Sequence, residues 1–343
     1  MQTSKILFAA IAALALSVLT APAEQLRGVQ LPMRNTTEAD FDTLEEWGVK
    51  LVRYQMTRAF LRHGDGPDGY EGYRAWLEGK VGHLVDFVIP QCRKRGIKVV
   101  VDLHEPPGYR EPKSMEWSIY FNQTLMDRFL DCWRMIAERV KGNDDVVYGY
   151  DILNEPEQKR PATTLDYLET QAEAARVIRE IDPKTAIIVE ARDWDRPGAF
   201  AELRPIPFEN IIYEVHMYRP KEFSHQGSGS APEVGPKWPD PEKGWNSDFL
   251  RAELAPVREF ERKYGAKIYV GEFSATVWAQ GAENYLSDLI GIFGEYGWDW
   301  TYHAFREWQA WSVEHESEAP GKPFVPSSDN PRKRALINGL RGD

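Results

Sequence analysis

The chain has 343 residues, 42% apolar and 28% charged, enough to bury a full core in one large domain or two small ones. Its formal net charge is −11, and its one basic cluster, Arg332-Lys333-Arg334, reads as a solvated helix end. That balance excludes a nucleic-acid binder, which gathers Lys and Arg on one face to neutralise phosphates.

The first 23 residues carry Lys5 as their only charged side chain, followed by an apolar run over 6–19 and Ala21-Pro22-Ala23. This is the pattern of a secretory signal with a small-residue cleavage site. Cleavage is predicted after Ala23, giving a secreted or periplasmic protein. An uncleaved anchor is the alternative, but the run falls short of the roughly 18 residues that a span needs. No later stretch is apolar enough to cross a membrane, so no stable membrane insertion is expected after cleavage.

From Leu26 onward, β-like runs alternate with helical ones. Eight strands are predicted, over 26–31, 51–55, 98–103, 147–153, 186–190, 211–216, 267–271 and 298–305. Several are near-continuously apolar, as parallel strands covered on both faces should be. Between them, Val81, Leu84, Val85, Val88, Ile89 and Cys92 recur at helical spacing. So do Leu125, Phe129, Cys132, Trp133, Ile136 and Val140, and then Leu286, Leu289, Ile290 and Phe293. Asn246 is placed to cap a helix that runs to Tyr264 and stops at Gly265. Strands each followed by a helix predict an α/β fold, a (β/α)8 TIM barrel filling 24–343 as a single domain. Long connections over 105–121, 219–244 and 307–329 all follow strand C-termini, the face on which such barrels keep their active sites.

Cys92 and Cys132 are the only cysteines. Export permits a bridge if neighbouring helices bring them together, but one pair is no disulfide framework, and two buried thiols are expected.

Arg53, His104, Asn154, Glu155, His216, Tyr218 and Glu272 stand at the strand ends. Two carboxyls converging there suit sugar chemistry. A retaining glycosidase needs one to protonate the leaving oxygen and a second, about 5 to 5.5 Å away, to attack the anomeric carbon. No Cys-x-x-Cys or His-Glu-x-x-His accompanies them, so neither a metal nor another cofactor is expected.

Leu153-Asn-Glu-Pro156 and Gly271-Glu-Phe273 resemble the two signature segments of glycoside hydrolase family 5, the cellulase family. Arg-Gly-Val-Gln at 27–30, Val52-Arg-Tyr54, Val101-Asp-Leu-His104 and Glu214-Val-His-Met-Tyr218 follow in the family's order. The resemblance implies that Glu155 is the acid/base and Glu272 the nucleophile of a double displacement. Asn154 is then placed to bond the sugar 2-hydroxyl, and Arg53, counted with it among the substrate-binding residues, to hold Glu272 ionised. The negative charge of Glu272 is expected to raise the pKa of Glu155 and keep it protonated. His104, His216 and Tyr218 become pocket residues that bond sugar hydroxyls or orient the carboxylates. The chain departs from the family at strand eight, where Thr301-Tyr-His-Ala-Phe305 puts His303 in place of the usual subsite tryptophan, with Trp308 or Trp311 as candidate replacements. Trp117, Trp194, Trp238, Trp245 and Trp278 lie in or near βα connections, and at least two are expected to meet sugar.

The expected partner is therefore an oligosaccharide or polysaccharide. The expected activity is endo-β-1,4-glucanase, with β-mannanase or exo-acting β-glucosidase or glucanase as alternatives in the same family. A metal-dependent barrel hydrolase and a non-catalytic carbohydrate-binding protein are the readings from other classes.

Overall fold

The computed structural model describes residues 24–58 and 69–343, so the signal-peptide reading lies outside the described residues. All eight expected strands are present: β1 Arg27–Gln30, β2 Leu51–Gln55, β3 Lys98–Asp102, β4 Val147–Asp151, β5 Ile187–Glu190, β6 Ile211–His216, β7 Lys267–Glu272 and β8 Asp299–Tyr302. They pair in parallel and in sequence order, and β8 closes on β1 to make a barrel. Gly28 of β1 lies against β2, where a Cβ would be 1.6 Å from the Leu51 carbonyl oxygen, so only glycine lets these two strands approach.

The helices are α1 Glu38–Trp47, α2 Gly69–His83, α3 Ile89–Arg95, α4 Gln123–Val140, α5 Tyr167–Ile181, α6 Lys221–Ser224, α7 Ser247–Tyr264, α8 Ala282–Tyr296 and α9 Pro331–Arg341. Both ends of α7 follow the local chemistry of the sequence: the Asn246 side chain accepts the Phe249 N–H, and Gly265 ends the helix at a left-handed φ of 63°. The single stripe expected over 81–92 is interrupted by a π-helical turn at Leu84–Val88. Pro90 supplies the reason, having no N–H to continue an α-helical ladder and a ring that crowds the preceding turn. The fifth unit also differs from expectation, because β5 is followed only by a 3-10 turn, Pro197–Ala201. Phe200 of that turn packs edge-on against Phe260 of α7, 5.4 Å between centroids.

Cys92 and Cys132 are buried thiols, not bridged to one another. The basic cluster departs from its expected role in one member. Arg332 is buried, and its guanidinium donates to the Trp311 and Ser312 carbonyls at 3.0 and 3.2 Å, pinning the connection after β8 to the start of α9.

The barrel interior changes character along each strand. Leu51, Val100, Ile188, Ile212 and Tyr269 form a closed apolar layer. Two residues further on, the same inward-facing rows carry Arg53, Asp102, Glu190 and Glu214, with Asp151 completing the layer, all fully buried. The catalytic face thus rests on a floor of charge.

Candidate active site

Arg53 is the hub of that floor. Its guanidinium donates to Asp151 at 2.7 Å, Glu272 at 2.7 Å, Gln30 at 2.8 Å and Asn154 at 3.0 Å, and Asp102, Glu190 and Glu214 lie within 3.4 Å. It has no exposed surface, which corrects the expectation that it binds substrate: it holds the residues that face the pocket. So many buried carboxylates around one guanidinium cannot all ionise. Burial, reinforced by Glu214, pushes Asp151 well above the usual range despite Arg53. Glu190 is pushed up by burial and then by Asp151 and Glu214, against the opposing charge of His216.

Glu272 ends β7 at an irregularity of register. Val215 pairs with Val270 but His216 pairs with Glu272, leaving Gly271 as the extra residue. A bulge of this kind re-aims the side chain that follows it. A Cβ on Gly271 would lie 1.4 Å from Glu214 Oε1, so any substitute there must displace that buried carboxylate. The Glu272 carboxylate accepts from Arg53 Nη1 at 2.7 Å, the Tyr218 hydroxyl at 2.9 Å and His303 Nδ1 at 3.0 Å. Burial alone would raise its pKa, but the charges of His216, His303 and Arg53 outweigh it and hold the carboxyl well below the usual range.

Glu155 is held by its backbone instead. It adopts a left-handed φ of 48°, which is costly for a residue with a Cβ and persists only when its surroundings impose it. Here Glu190 accepts its N–H at 2.6 Å, and Arg110 donates to the Asn154 and Glu155 carbonyls at 3.2 and 3.0 Å. Arg110 is sandwiched between the Trp117 and Trp194 rings, 3.8 and 4.7 Å from their centroids, and the Trp117 indole N–H also reaches the Asn154 carbonyl. The Glu155 side chain meets His216 Nδ1 at 3.2 Å, while His216 Nε2 faces Glu214 at 3.2 Å.

The proton balance between these groups corrects the sequence expectation. Burial would raise Glu155, but its bond to His216 and the charge of His216 lower it, so in the unliganded site it is ionised. Burial would lower His216, yet Glu272, Glu190, Glu155 and Glu214 together raise it well above the ordinary histidine value. The proton shared by this pair therefore lies on the imidazole, one hydrogen bond from Glu155.

One oxygen each of Glu155 and Glu272 and a ring nitrogen of His216 lie within 4.8 Å of one another, and Glu190, Glu214 and His216 form a second such group. Metal-ligand spacing is thus present. His216 belongs to both groups, so a metal at either would have to displace a proton from its ring.

The model of the family described as "Cellulase (glycosyl hydrolase family 5)" matches residues 18–311. The chain belongs to glycosyl hydrolase family 5. Among its relatives, Endoglucanase C of Acetivibrio thermocellus is 26% identical over 297 residues, covering 78% of this chain and 83% of the relative. Cellodextrinase A of Ruminococcus flavefaciens is 25% identical over 281 residues, covering 79% of each. The structure of Thermotoga maritima Cel5A in complex with mannotriose superposes with a TM-score of 0.69 at 25% identity, over 92% of this chain and 97% of that one. This chain is a glycoside hydrolase, an enzyme of the cellulase family.

In this family 5 hydrolase the expected site residues converge at the strand ends. Asn154 gives its side-chain oxygen to Arg53, and the His104 ring nitrogen Nδ1 bonds Asp102 at 2.8 Å. His303 occupies the position after β8 and bonds Glu272, Tyr218 and Glu307. Of the two candidate tryptophans, Trp311 belongs to this wall, stacked on Tyr218 at 5.4 Å and edge-on to His303 at 4.7 Å. Trp308 lies outside it, 41% exposed and in edge contact with Trp311. Of the loop tryptophans, Trp117, Trp238 and Trp245 are buried packing anchors, while Trp194 and Trp278 are half-buried.

Several residues escaped the sequence reading. Gln30, Asp151, Glu190 and Arg110 support the two glutamates, and Gln55 and Glu307 form a polar pair beside His303, 2.5 Å apart. His225, from the sixth connection, sits edge-on to Trp311 and Tyr218, and burial with the nearby Lys221 lowers its pKa to about 4, making it a neutral group in the wall. A two-residue alternation from the apolar interior layer would have found Glu190; nothing in sequence marks Arg110 or Glu307.

Proposed function

We propose that the chain is a secreted, retaining glycoside hydrolase that cleaves β-linked glycans by double displacement, acting as an endo-β-1,4-glucanase. The observation that carries this reading is the approach of Glu155 and Glu272 oxygens to within 4.8 Å across His216. Retaining enzymes keep their carboxyls about 5 to 5.5 Å apart, whereas inverting enzymes need roughly 6.5 to 9.5 Å to admit a water. The names of the endoglucanase and cellodextrinase relatives support a glucan.

In this scheme Glu272, kept anionic by His303 and Arg53, attacks the anomeric carbon. Substrate excludes water from the site, and in the lower dielectric a neutral Glu155–His216 pair is favoured over an ion pair. The proton on Nδ1 then passes to Glu155 and on to the leaving oxygen, while Nε2–H stays on Glu214. Glu155, again a carboxylate, takes a proton from the water that breaks the glycosyl-enzyme. Asn154 offers its amide nitrogen to the sugar 2-hydroxyl, a bond that strengthens as the oxocarbenium-like transition state forms.

β-Mannan is the second reading, favoured because the related Thermotoga maritima Cel5A was crystallised with mannotriose as well as with cellobiose. A product-size and reducing-sugar screen over pure glucans, mannans and xylans separates the two. Rapid shortening of carboxymethylcellulose or barley glucan is expected; activity confined to mannan, or release of monosaccharide alone, replaces the endoglucanase reading. Proton NMR of the first product should show retained β-configuration, and initial α-product would refute the double displacement.

A further inference from the structure

At the end of β8 stands an imidazole wired to two carboxylates. His303 is 7% exposed, with Nδ1 3.0 Å from Glu272 Oε2 and Nε2 3.2 Å from Glu307 Oε2. A ring nitrogen facing a carboxylate must carry a hydrogen, and both nitrogens do so only in the imidazolium. Tyr218 does not disturb this assignment. With its O–H directed at Glu272, 2.9 Å away, its oxygen lone pair faces Nδ1 at 2.6 Å and shares that hydrogen.

Glu307 is fixed in turn. Its side chain is 5% exposed, and the oxygen that bonds His303 also accepts from Gln55 Nε2 at 2.5 Å. Around the imidazole stand Glu272 from β7, Tyr218 from the connection after β6, Glu307 and Trp311 from the connection after β8, and His225 from the sixth connection; Gln55 from β2 and His104 from the end of β3 act on Glu307. Burial opposes a charge on His303, but Glu272 and Glu307 overcome it and raise its pKa to about 10.

We propose that Glu307 is a positioning residue for the nucleophile, holding His303 as an imidazolium whose Nδ1–H stabilises Glu272 as it departs from the glycosyl-enzyme. This rests on the double-displacement reading. In the departing step water attacks the anomeric carbon and gives its proton to Glu155. The bond from that carbon to the Glu272 oxygen breaks, and its electron pair stays on the carboxylate. The ester has no full charge for the imidazolium to meet, whereas the released carboxylate does, so the cation favours departure. The same charge lowers the basicity of Glu272, so it slows attack and speeds release.

The test uses the full-length enzyme with ¹⁵N-labelled histidine, a 2-deoxy-2-fluoro-β-cellobioside to trap the covalent intermediate, and Glu307→Gln and Glu307→Asp variants. In the wild type, His303 should show both nitrogens protonated from pH 5 to pH 8; a neutral ring there overturns the proposal without any variant. Glu307→Gln should bring that titration down into the same window. Reactivation of the trapped enzyme at pH 8 should then slow by roughly tenfold or more, the factor that one pKa unit represents, with Glu307→Asp recovering most of the rate. An unchanged reactivation rate in a folded Glu307→Gln enzyme overturns the proposal. Failure of the wild type to form any adduct, with hydrolysis continuing, overturns the double-displacement reading itself and this inference with it.

Discussion

The two glutamates of this site are held by opposite ends. Glu272 is fixed by its carboxylate, which three side chains grip, and its backbone lies at a strand bulge. Glu155 is fixed by its backbone, gripped through its N–H and carbonyl, while His216 is the one side chain bonded to its carboxylate among the described residues. The difference fits the work proposed for each. That is what the proposed roles would require: a nucleophile must remain an anion and stay in place, so donors crowd it, and an acid/base must exchange a proton every half-cycle, so its carboxyl is left with a single labile partner.

The contrast is sharpened by removing each group in turn. Glu272→Ala should lower hydrolysis by at least about 10⁴-fold on every substrate, as expected when a covalent route is lost, with glycan binding retained. Comparable turnover in that variant would end the nucleophile assignment. Glu155→Ala should cost about 10²- to 10⁴-fold on glycans with poor leaving groups, the usual range for lost general acid catalysis. The loss should shrink for dinitrophenyl glycosides, whose leaving group needs no proton; equal losses on both would contradict the acid role.

Arg53→Met should destabilise the fold by about 3 to 5 kcal/mol, because it leaves buried carboxylates without their cation, and urea denaturation measures this. Arg110→Met should leave KM nearly unchanged and lower kcat by about tenfold, since a small misplacement of an acid catalyst is costly. A fall confined to stability would make the tryptophan sandwich a packing feature alone. A further check is a pH dependence. The folded pKa of His303, about 10, lies above its ordinary 6.5, so its stabilising contribution is complete below pH 6.5 and is lost as pH rises towards 10. The stability gap between wild type and His303→Asn should therefore be largest at pH 6 and narrow steadily to pH 10.

The barrel was legible because its signal is periodic. Apolar runs bounded by turns fell at every strand, and the Asn246 cap and Gly265 stop were local chemistry that tertiary packing had no reason to override. Departures came where one residue or one neighbour decided the outcome. Pro90 converts part of a regular stripe into a π turn, and the packing of Phe200 on α7 lets the fifth unit do without a full helix. The two glutamates were visible as strand-end residues, but their protonation was not. It depends on His216 lying between them, a distance relation that no linear spacing encodes. Arg110 and Glu307 were hidden for the same reason, as each acts on a partner more than 40 residues away or through a second side chain in the pocket.

The step from apolar to charged layer within the barrel limits how such an enzyme can change its diet. Arg53, Asp102, Asp151, Glu190 and Glu214 share one fully buried network, so altering any one leaves a buried charge or hydrogen-bonding group for the others to absorb. New sugar preferences are therefore expected to arise by rewriting the connections after β3, β6 and β8, which can vary one residue at a time. The strand ends form an inheritance passed on whole or lost.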